Sequence, residues 1–479
     1  MLSTMNHTYL PIWFGALVLL WSFLVYLYLW WKHESYKMKL IRKQGITGPP
    51  PSLLLGNLPE MERMMSQNPE TPKIDGSLTV LPYFKHWTNI YGKLFKFAVG
   101  GIQLLYVNNL SIVKEINSFT SLELGKPAYL RNERGALLGK GLNVTNGAVW
   151  YHQRKTVAPP LYMHKVKEMV NLMVESSSIL VKSWEKIIDA NGEGGIVDIV
   201  VDEHVKNFTS HIASKIIFGS DHHKGIKIFP KCEALLKAIG TTTTLGIPFL
   251  RFLPIERNRK SWGLAKEIRG IIMEIAKERT GSISHQDLLQ AIIEGSKNGE
   301  LGTLTEDEFI GDNCKNMFLG GYLPPALAAV WGLMLLASHP EWQDRARSEV
   351  LELKMVIQEV LRLYPAVTLA TREAMQDVKL GDLQVPKVWL WGPDADTFNP
   401  ERFINGVTGA CKSSQAYIPF GLGARVCPGQ NLAVIELKVF FAVILSKFKF
   451  TISPNYQHSP TYGLLLEPEH GVNLLIQKI

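Results

Sequence analysis

Apolar residues recur at helical spacing over most of the chain, from about Val149 to Phe218 and again from Ser261 to Gly295. That period places them on one face of a helix, so the pattern predicts a body of packed helices. Two shorter apolar runs, KLFKFAV and IQLLYVN, have the length of strands and are separated by two glycines. They predict a β-hairpin. We therefore expect a mainly α fold with a minor β-sheet.

The longest apolar stretch of this body, Asn316–Ser338, belongs to a helix whose start is marked by a capping box at Thr305–Glu308. His339 and Pro340 mark its end. Because most of the helix is apolar on all sides, we expect it to pass through the middle of the protein. Pro324 and Pro325 lie inside it, and proline lacks the backbone donor and clashes with the preceding turn. The pair predicts a kink or break.

The amino-terminal segment, residues 1–31, contains an uncharged run from Tyr9 to Trp31 that is long enough to cross a bilayer. No small-residue cleavage site follows, so we interpret the run as a single transmembrane anchor, with a buried core helix as the alternative. Basic side chains follow directly, which predicts that the rest of the protein faces the cytosol. Residues 32–51 form a basic and proline-rich linker, and residues 52–479 are expected to form one large domain.

Composition narrows the class of partner. The net charge of +8 and the pI near 9.0 suit an anionic membrane surface or an acidic protein. No arginine-rich run is interleaved with aromatic residues, so nucleic acid is not an expected partner. The four cysteines are far apart and form no CxxC pair, which leaves neither a disulfide framework nor a zinc site to predict.

The segment most indicative of chemistry is PFGLGARVCPGQNLAVIELKVFFAVIL, residues 419–445. A glycine-rich loop leads to Cys427 and then into an apolar helix predicted to begin near Gly429. Helix amides and Arg425 would stabilise a thiolate here and lower its pKa. The glycines would let the backbone approach a large flat group. A buried structural cysteine is the alternative.

The same loop matches the pattern F-G-x-G-x-R-x-C-x-G at Phe420, Gly421, Gly423, Arg425, Cys427 and Gly429. It resembles the haem-binding loop of the cytochrome P-450 family. The resemblance implies haem b with the Cys427 thiolate as the axial ligand of iron.

Other motifs of that family occur in the expected order. Glu359 and Arg362 form its E-x-x-R pair, and Arg402 in PERF is the expected third member of a buried ionic lock. The helix WYHQR is similar to the family helix that meets a haem propionate. The resemblance therefore implies that four side chains hold propionates, namely Trp150, Arg154, Arg372 and Arg425.

The chain looks most like plant microsomal members, close to the group that includes gibberellin oxidases. The resemblance implies a P-450 fold with an N-terminal transmembrane helix in the endoplasmic reticulum membrane. It also implies an NADPH-dependent cytochrome reductase as partner. The implied reaction is hydroxylation or epoxidation of a small hydrophobic substrate with O2. A diterpenoid such as a gibberellin is the candidate substrate.

The chain departs from the family pattern A/G-G-x-D/E-T-T in its central helix. Aligned on Gly320 and Gly321, the family's acid is replaced by Leu323 and its two threonines by Pro324 and Pro325. None of these three side chains can relay a proton. A haem-thiolate isomerase or lyase that needs no reductase is therefore an alternative to the monooxygenase.

Two internal stretches, near residues 350–354 and 387–391, are shorter than the family pattern. Such gaps are typical of a misread gene model or a decaying gene. They favour a third alternative, a catalytically impaired or haem-free membrane protein.

Overall fold

The structure is a computed structural model, and it divides the chain into two compact units, residues 1–66 with 83–108 and residues 67–82 with 109–479. Most of the predicted anchor and positions 387–390 of the second short stretch lie outside the described residues. The described residues are 42–52, 54–67, 74, 80–119, 123–191, 195–240, 246, 250–279, 287–375, 391, 394–395, 397–411 and 416–479, with nine positions between 14 and 32 and without the side chains of 251 and 350.

The first unit contains the predicted hairpin. Helices α1 (Leu58–Ser66) and α2 (Pro82–Tyr91) precede strands β1 (Leu94–Val99) and β2 (Ile102–Val107). The strands pair antiparallel from Leu94 opposite Val107 to Val99 opposite Ile102. Gly100, in the connecting turn, has a φ of 57°, a conformation that costs glycine little. The expected hairpin is confirmed.

The second unit is mainly helical. Its long helices pack around one central helix, α14, and bury apolar side chains from nearly every element of the unit. The helices are α3 (Leu110–Ser118), α4 (Ala128–Glu133), α5 (Gly135–Leu138), α6 (Gly147–Val157), α7 (Met163–Glu168), α8 (Val170–Asn191), α9 (Val201–Phe218), α10 (His222–Gly225), α11 (Ile228–Ile239), α12 (Glu256–Glu278), α13 (Leu288–Lys297), α14 (Glu306–Ser338), α15 (Pro340–Ser348), α16 (Val350–Leu363), α17 (Gly406–Ala410) and α18 (Gln430–Leu445).

The strands of this unit form small sheets at its edges. Three strands lie in the order β4-β9-β6, and two further pairs are β3 with β5 and β7 with β8. All three sets are antiparallel. Their bounds are β3 (Leu124–Gly125), β4 (Ile196–Val200), β5 (Glu373–Ala374), β6 (Phe448–Ile452), β7 (Pro460–Tyr462), β8 (Leu466–Pro468) and β9 (Asn473–Lys478).

Helix α14 begins and ends where the sequence predicts. Thr305 accepts from the backbone of Glu308 at 3.1 Å, and the Glu308 carboxylate accepts from the Thr305 amide at 3.1 Å, which is the predicted capping box. Within the described part of the chain, α14 alone is long and apolar enough to cross a bilayer, but 83% of its most apolar window is buried inside the protein. It is a core helix.

Of the kink or break predicted at Pro324 and Pro325, the break is wrong, because the helix is continuous from Glu306 to Ser338. Each proline removes one backbone hydrogen bond of the helix. The Pro324 ring crowds the carbonyl of Gly320, and the Pro325 ring crowds that of Gly321. Buried neighbours hold the rest of the helix on all sides. Tertiary packing therefore outweighs the local cost of the prolines.

Candidate active site

The loop before α18 is shaped by its glycines. Gly421 and Gly423 have φ values of 72° and 70°. A Cβ on Gly423 would lie 2.4 Å from the carbonyl oxygen of Asn117, so no larger residue fits there without movement. The turn closes when the amide of Cys427 donates to the carbonyl of Phe420 at 2.8 Å. Gly429 then forms the N-cap of α18, close to the predicted start.

Cys427 differs from the other three cysteines. Cys232, Cys314 and Cys411 are buried, whereas Cys427 is exposed. Nearby protein atoms nevertheless remove part of the water around its thiol, and this desolvation raises its pKa above the ordinary value. The amide of Gly429 and the charge of Arg154 act in the opposite direction. The predicted lowering by Arg425 is wrong, since the nearby cation is Arg154 and burial outweighs both favourable contributions.

Helix α6 brings the predicted Trp150 and Arg154 to the cysteine loop. Nη1 of Arg154 donates to the carbonyl of Val426 at 2.6 Å. The guanidinium of Arg425 lies over the ring of Trp150, 4.4 Å from its centroid. Both contacts join residues that are far apart in sequence, and together they fix the loop against α6.

A cluster of cations lies beside this contact. Strands β3 and β5 pair Gly125 with Glu373, which places the next residue along one strand, Lys126, next to Arg372. Burial and the charges of Arg372 and Arg425 lower the pKa of Lys126 to about 8. Burial and the charge of Arg372 lower the pKa of Arg425 to about 10. Three cations that destabilise one another need an anion between them.

Asn146, the N-cap of α6, orders this cluster. Its Oδ1 accepts from the backbone amide of Lys126 at 2.7 Å and from Nη2 of Arg425 at 2.7 Å. Its Nδ2 donates to the carbonyl of Lys126 at 2.9 Å. A Cβ on Gly125 would lie 2.6 Å from Oδ1, so glycine is needed there. Sequence reasoning missed Asn146 and Lys126, because no motif includes them. The β3–β5 pairing brings Lys126 to Arg372, and Asn146 contacts Lys126 and Arg425.

These residues fit the haem that the resemblance implies. A thiolate is a suitable iron ligand, and Cys427 is exposed at the start of a helix. The Nε of Arg425 is buried without a hydrogen-bond partner among the described residues, and a propionate oxygen would supply one. The cation cluster offers further charge for two carboxylates.

The predicted ionic lock is formed. Glu359 is fully buried and accepts from Nε and Nη2 of Arg362 at 2.6 and 2.8 Å. Nε of Arg402 lies farther from the carboxylate of Glu359, at 3.7 Å. Arg402 instead makes a bidentate contact with Asp394 at 3.0 and 2.8 Å. Asp394 is therefore a fourth member that the sequence motifs do not include.

The altered segment of α14 has one side that is not fully covered by the described residues, which we call its open face. Gly320 is exposed, and Gly321 and Pro324 are half-buried, in a helix that is otherwise largely buried. Leu323 and Pro325 point into protein. Pro324 thus lies on the open side, and the leucine that replaces the family's acid does not.

Comparison with known proteins agrees with this arrangement. The family model for cytochrome P450 matches residues 48–475. Cytochrome P450 714C2 of Oryza sativa subsp. japonica is 43% identical, over 96% of this chain and 96% of that protein. Cytochrome P450 714A2 of Arabidopsis thaliana is 37% identical, over 98% of this chain and 99% of the relative.

The fold also matches a solved structure. Retinoic acid bound cyanobacterial CYP120A1 superimposes with a TM-score of 0.73 and 19% identity, over 91% of this chain and 99% of that one. The rice 714C2 alignment spans 507 positions, more than the 479 residues of this chain, so the relative has residues that this chain lacks. P450 proteins hold haem through an axial cysteine thiolate. The chain belongs to the cytochrome P450 family of haem-thiolate monooxygenases.

Proposed function

We propose that this protein is a membrane-anchored monooxygenase that hydroxylates or epoxidises a small hydrophobic substrate, with Cys427 as the iron ligand. The observation that supports this best is the exposed Cys427 on its glycine-shaped loop, next to a cluster of partly buried cations that lower one another's pKa. For hydroxylation the net reaction is R–H + O2 + NADPH + H⁺ to R–OH + H2O + NADP⁺, and in epoxidation the same oxygen atom adds across a C=C bond. Haem with an axial thiolate supplies the oxygen chemistry when it is bound.

The protein's own residues hold and orient that group. The Gly429 amide donates to the Cys427 sulfur, and Arg154 adds a positive charge nearby, so both favour the thiolate. Arg372 and Arg425, with Lys126, would bind the propionates, and Trp150 supports Arg425 from the other side. Glu359, Arg362 and Arg402 fix α16 to the segment that leads into the cysteine loop.

The cellular context rests on the sequence. We propose that residues 9–31 anchor the chain in the endoplasmic reticulum membrane, that residues 32–51 are the linker and that residues 52–479 form the catalytic domain in the cytosol. Family members take electrons from a redox partner, and an NADPH-dependent cytochrome reductase is the partner proposed here. A diterpenoid such as a gibberellin is the substrate to test first.

A second candidate function is favoured by the open face of α14. Pro324 occupies the position at which the family carries an alcohol, and its ring can neither donate nor accept a proton. A haem-thiolate isomerase or lyase rearranges a peroxide and needs no proton delivery to O2. The second candidate predicts turnover without NADPH or reductase.

Two assays on the same membrane preparation separate these functions. In the first, gibberellins and related diterpenoid acids are supplied with NADPH, a plant reductase and O2, and a product one oxygen heavier is expected. In the second, a fatty acid hydroperoxide is supplied without NADPH, and no consumption is expected. Consumption of the hydroperoxide with no NADPH-dependent product would favour the second candidate. Cys427→Ser should abolish activity in either assay.

The prolines give a further test of the leading function. Pro324→Thr restores an alcohol on the open face and should raise NADPH-dependent turnover by about tenfold or more. Pro325→Thr is the matched control, because position 325 is buried and its alcohol would not reach the same space. Equal turnover in the wild type and Pro324→Thr would show that the lost alcohol does not limit the reaction.

A further inference from the structure

The carbonyl oxygen of Gly320 lacks its usual partner in α14. In an α-helix each carbonyl accepts from the amide four residues later, which for Gly320 belongs to Pro324. Proline has no amide hydrogen, so this bond cannot form although the helix continues. A backbone carbonyl left without a donor is costly unless water or a ligand supplies one.

The surroundings of Gly320 allow a ligand to do so. A helical carbonyl points along the axis toward the residue four positions on, so the Gly320 oxygen lies on the side of Pro324. Gly320 is exposed and Pro324 is half-buried. Outside the backbone of its own turn, a Cβ built on Gly320 would meet no atom of the described residues within 4 Å, so there is space beside this turn.

Gly321 provides a contrast within the same turn. Its carbonyl also loses a donor, this time because residue 325 is proline. Pro325 is buried, however, and a Cβ on Gly321 would lie 3.3 Å from the Cβ of Ala213 on α9. The open space is therefore beside Gly320. Of the two glycines, Gly320 is the more exposed.

The residues of α14 that flank Gly320 on its exposed side are apolar. One turn before Gly320 lies Met317, and one turn after it lies Pro324, both half-buried. Neither side chain can donate a strong hydrogen bond. A strong acceptor between apolar side chains favours a hydrophobic ligand that carries a donor at a defined place.

We propose that the Gly320 carbonyl is a substrate-binding group that accepts a hydrogen bond from a hydroxyl or protonated carboxyl of the bound substrate. The inference rests on the proposed function for the identity of the cavity, and it adds a substrate class: a hydrophobic molecule with an O–H donor. A ketone or ether of the same shape would leave the carbonyl without a partner and would bind more weakly.

Equilibrium dialysis of the full-length protein in membranes tests this directly. The probes are 1-adamantanol and 1-methoxyadamantane, which share a rigid hydrocarbon cage and differ in the O–H donor. Pro324→Ala supplies a backbone amide that pairs with the Gly320 carbonyl. The alcohol-to-ether affinity ratio should fall by about fivefold, the factor that corresponds to one net hydrogen bond.

Pro325→Ala is the matched control, since it also replaces one proline of α14 by alanine. The backbone amide that it supplies pairs with the Gly321 carbonyl and not with that of Gly320. This variant should leave the ratio unchanged. An unchanged ratio in Pro324→Ala, or an equal fall in both variants, would overturn the proposal. The absorbance spectrum of the same samples, reduced and treated with carbon monoxide, reports whether haem is bound through a thiolate. It therefore distinguishes a failure of the Gly320 proposal from a failure of the proposed function. A normal spectrum with an unchanged ratio contradicts only the Gly320 site, whereas loss of haem in the wild type contradicts the proposed function.

Discussion

At the scale of single residues, the site is dominated by positive charge that nothing in the described chain neutralises fully. Lys126, Arg372 and Arg425 come from three separate segments, and Asn146 holds two of them in place. Each cation is costly to keep charged in this setting, as the lowered pKa values of all three show. A bound anionic group would stabilise this arrangement, so the shared role of these residues is to bind an anion.

Lys126→Met should weaken haem retention by about tenfold or more, because it removes a charged hydrogen bond to a propionate. The rate of haem transfer to apomyoglobin measures this. Lys155→Met, an exposed lysine on α6, is the control and should behave as the wild type. Equal transfer rates in Lys126→Met and the wild type would exclude Lys126 from the propionate contacts.

The same lysine predicts a pH dependence. Without a carboxylate its pKa is about 8, lowered by burial and by Arg372 and Arg425. Pairing with a propionate raises that pKa, so haem binding favours the protonated form. Retention should therefore be constant below pH 8 and should weaken as pH rises above it. Lys126→Met should remove this dependence, and a dependence that persisted in the variant would belong to another group.

At the scale of elements, α14 depends on a well-formed start. Its capping box satisfies two backbone donors at the end where the helix leaves solvent. Thr305→Ala should lower the free energy of unfolding by about 1 kcal/mol, measured in urea. Thr303→Ala, at an exposed position two residues earlier, should change it by less than about 0.5 kcal/mol. Equal effects of the two would show that the cap adds little to stability.

The ionic lock on α16 should contribute more to the free energy of unfolding than the capping box does. The side chains of Arg362 and Arg402 are 7% and 6% exposed. Removal of Glu359 leaves Arg362 without its carboxylate, whereas Arg402 keeps Asp394. Glu359→Ala should lower the free energy of unfolding by about 3 to 5 kcal/mol.

The control for this lock is Glu352→Ala. Glu352 pairs with the more exposed Arg345, so its removal should cost at most about 1 kcal/mol. A loss of less than about 1 kcal/mol in Glu359→Ala would mean that Asp394 alone carries the lock.

At the scale of the whole molecule, the sequence predicted what local patterns determine. The capping box, the hairpin, the cysteine loop and the E-x-x-R pair are each set by residues a few positions apart, and the structure forms all of them. Lys126 and Asn146 could not be predicted in this way. Lys126 meets Arg372 through strands separated by about 250 residues of chain, and Asn146 meets Arg425 across 279 residues. The unbroken α14 was missed for a related reason, since packing around the prolines decides it.

Cys427 is proposed to hold a haem iron through its thiolate. The most direct measurement is the absorbance spectrum of the reduced protein in membranes after treatment with carbon monoxide, compared with that of Cys427→Ser. We predict a red-shifted, thiolate-type Soret band in the wild type and its loss in the variant. Correctly expressed wild-type protein without that band, or a variant that retains it, would contradict the account.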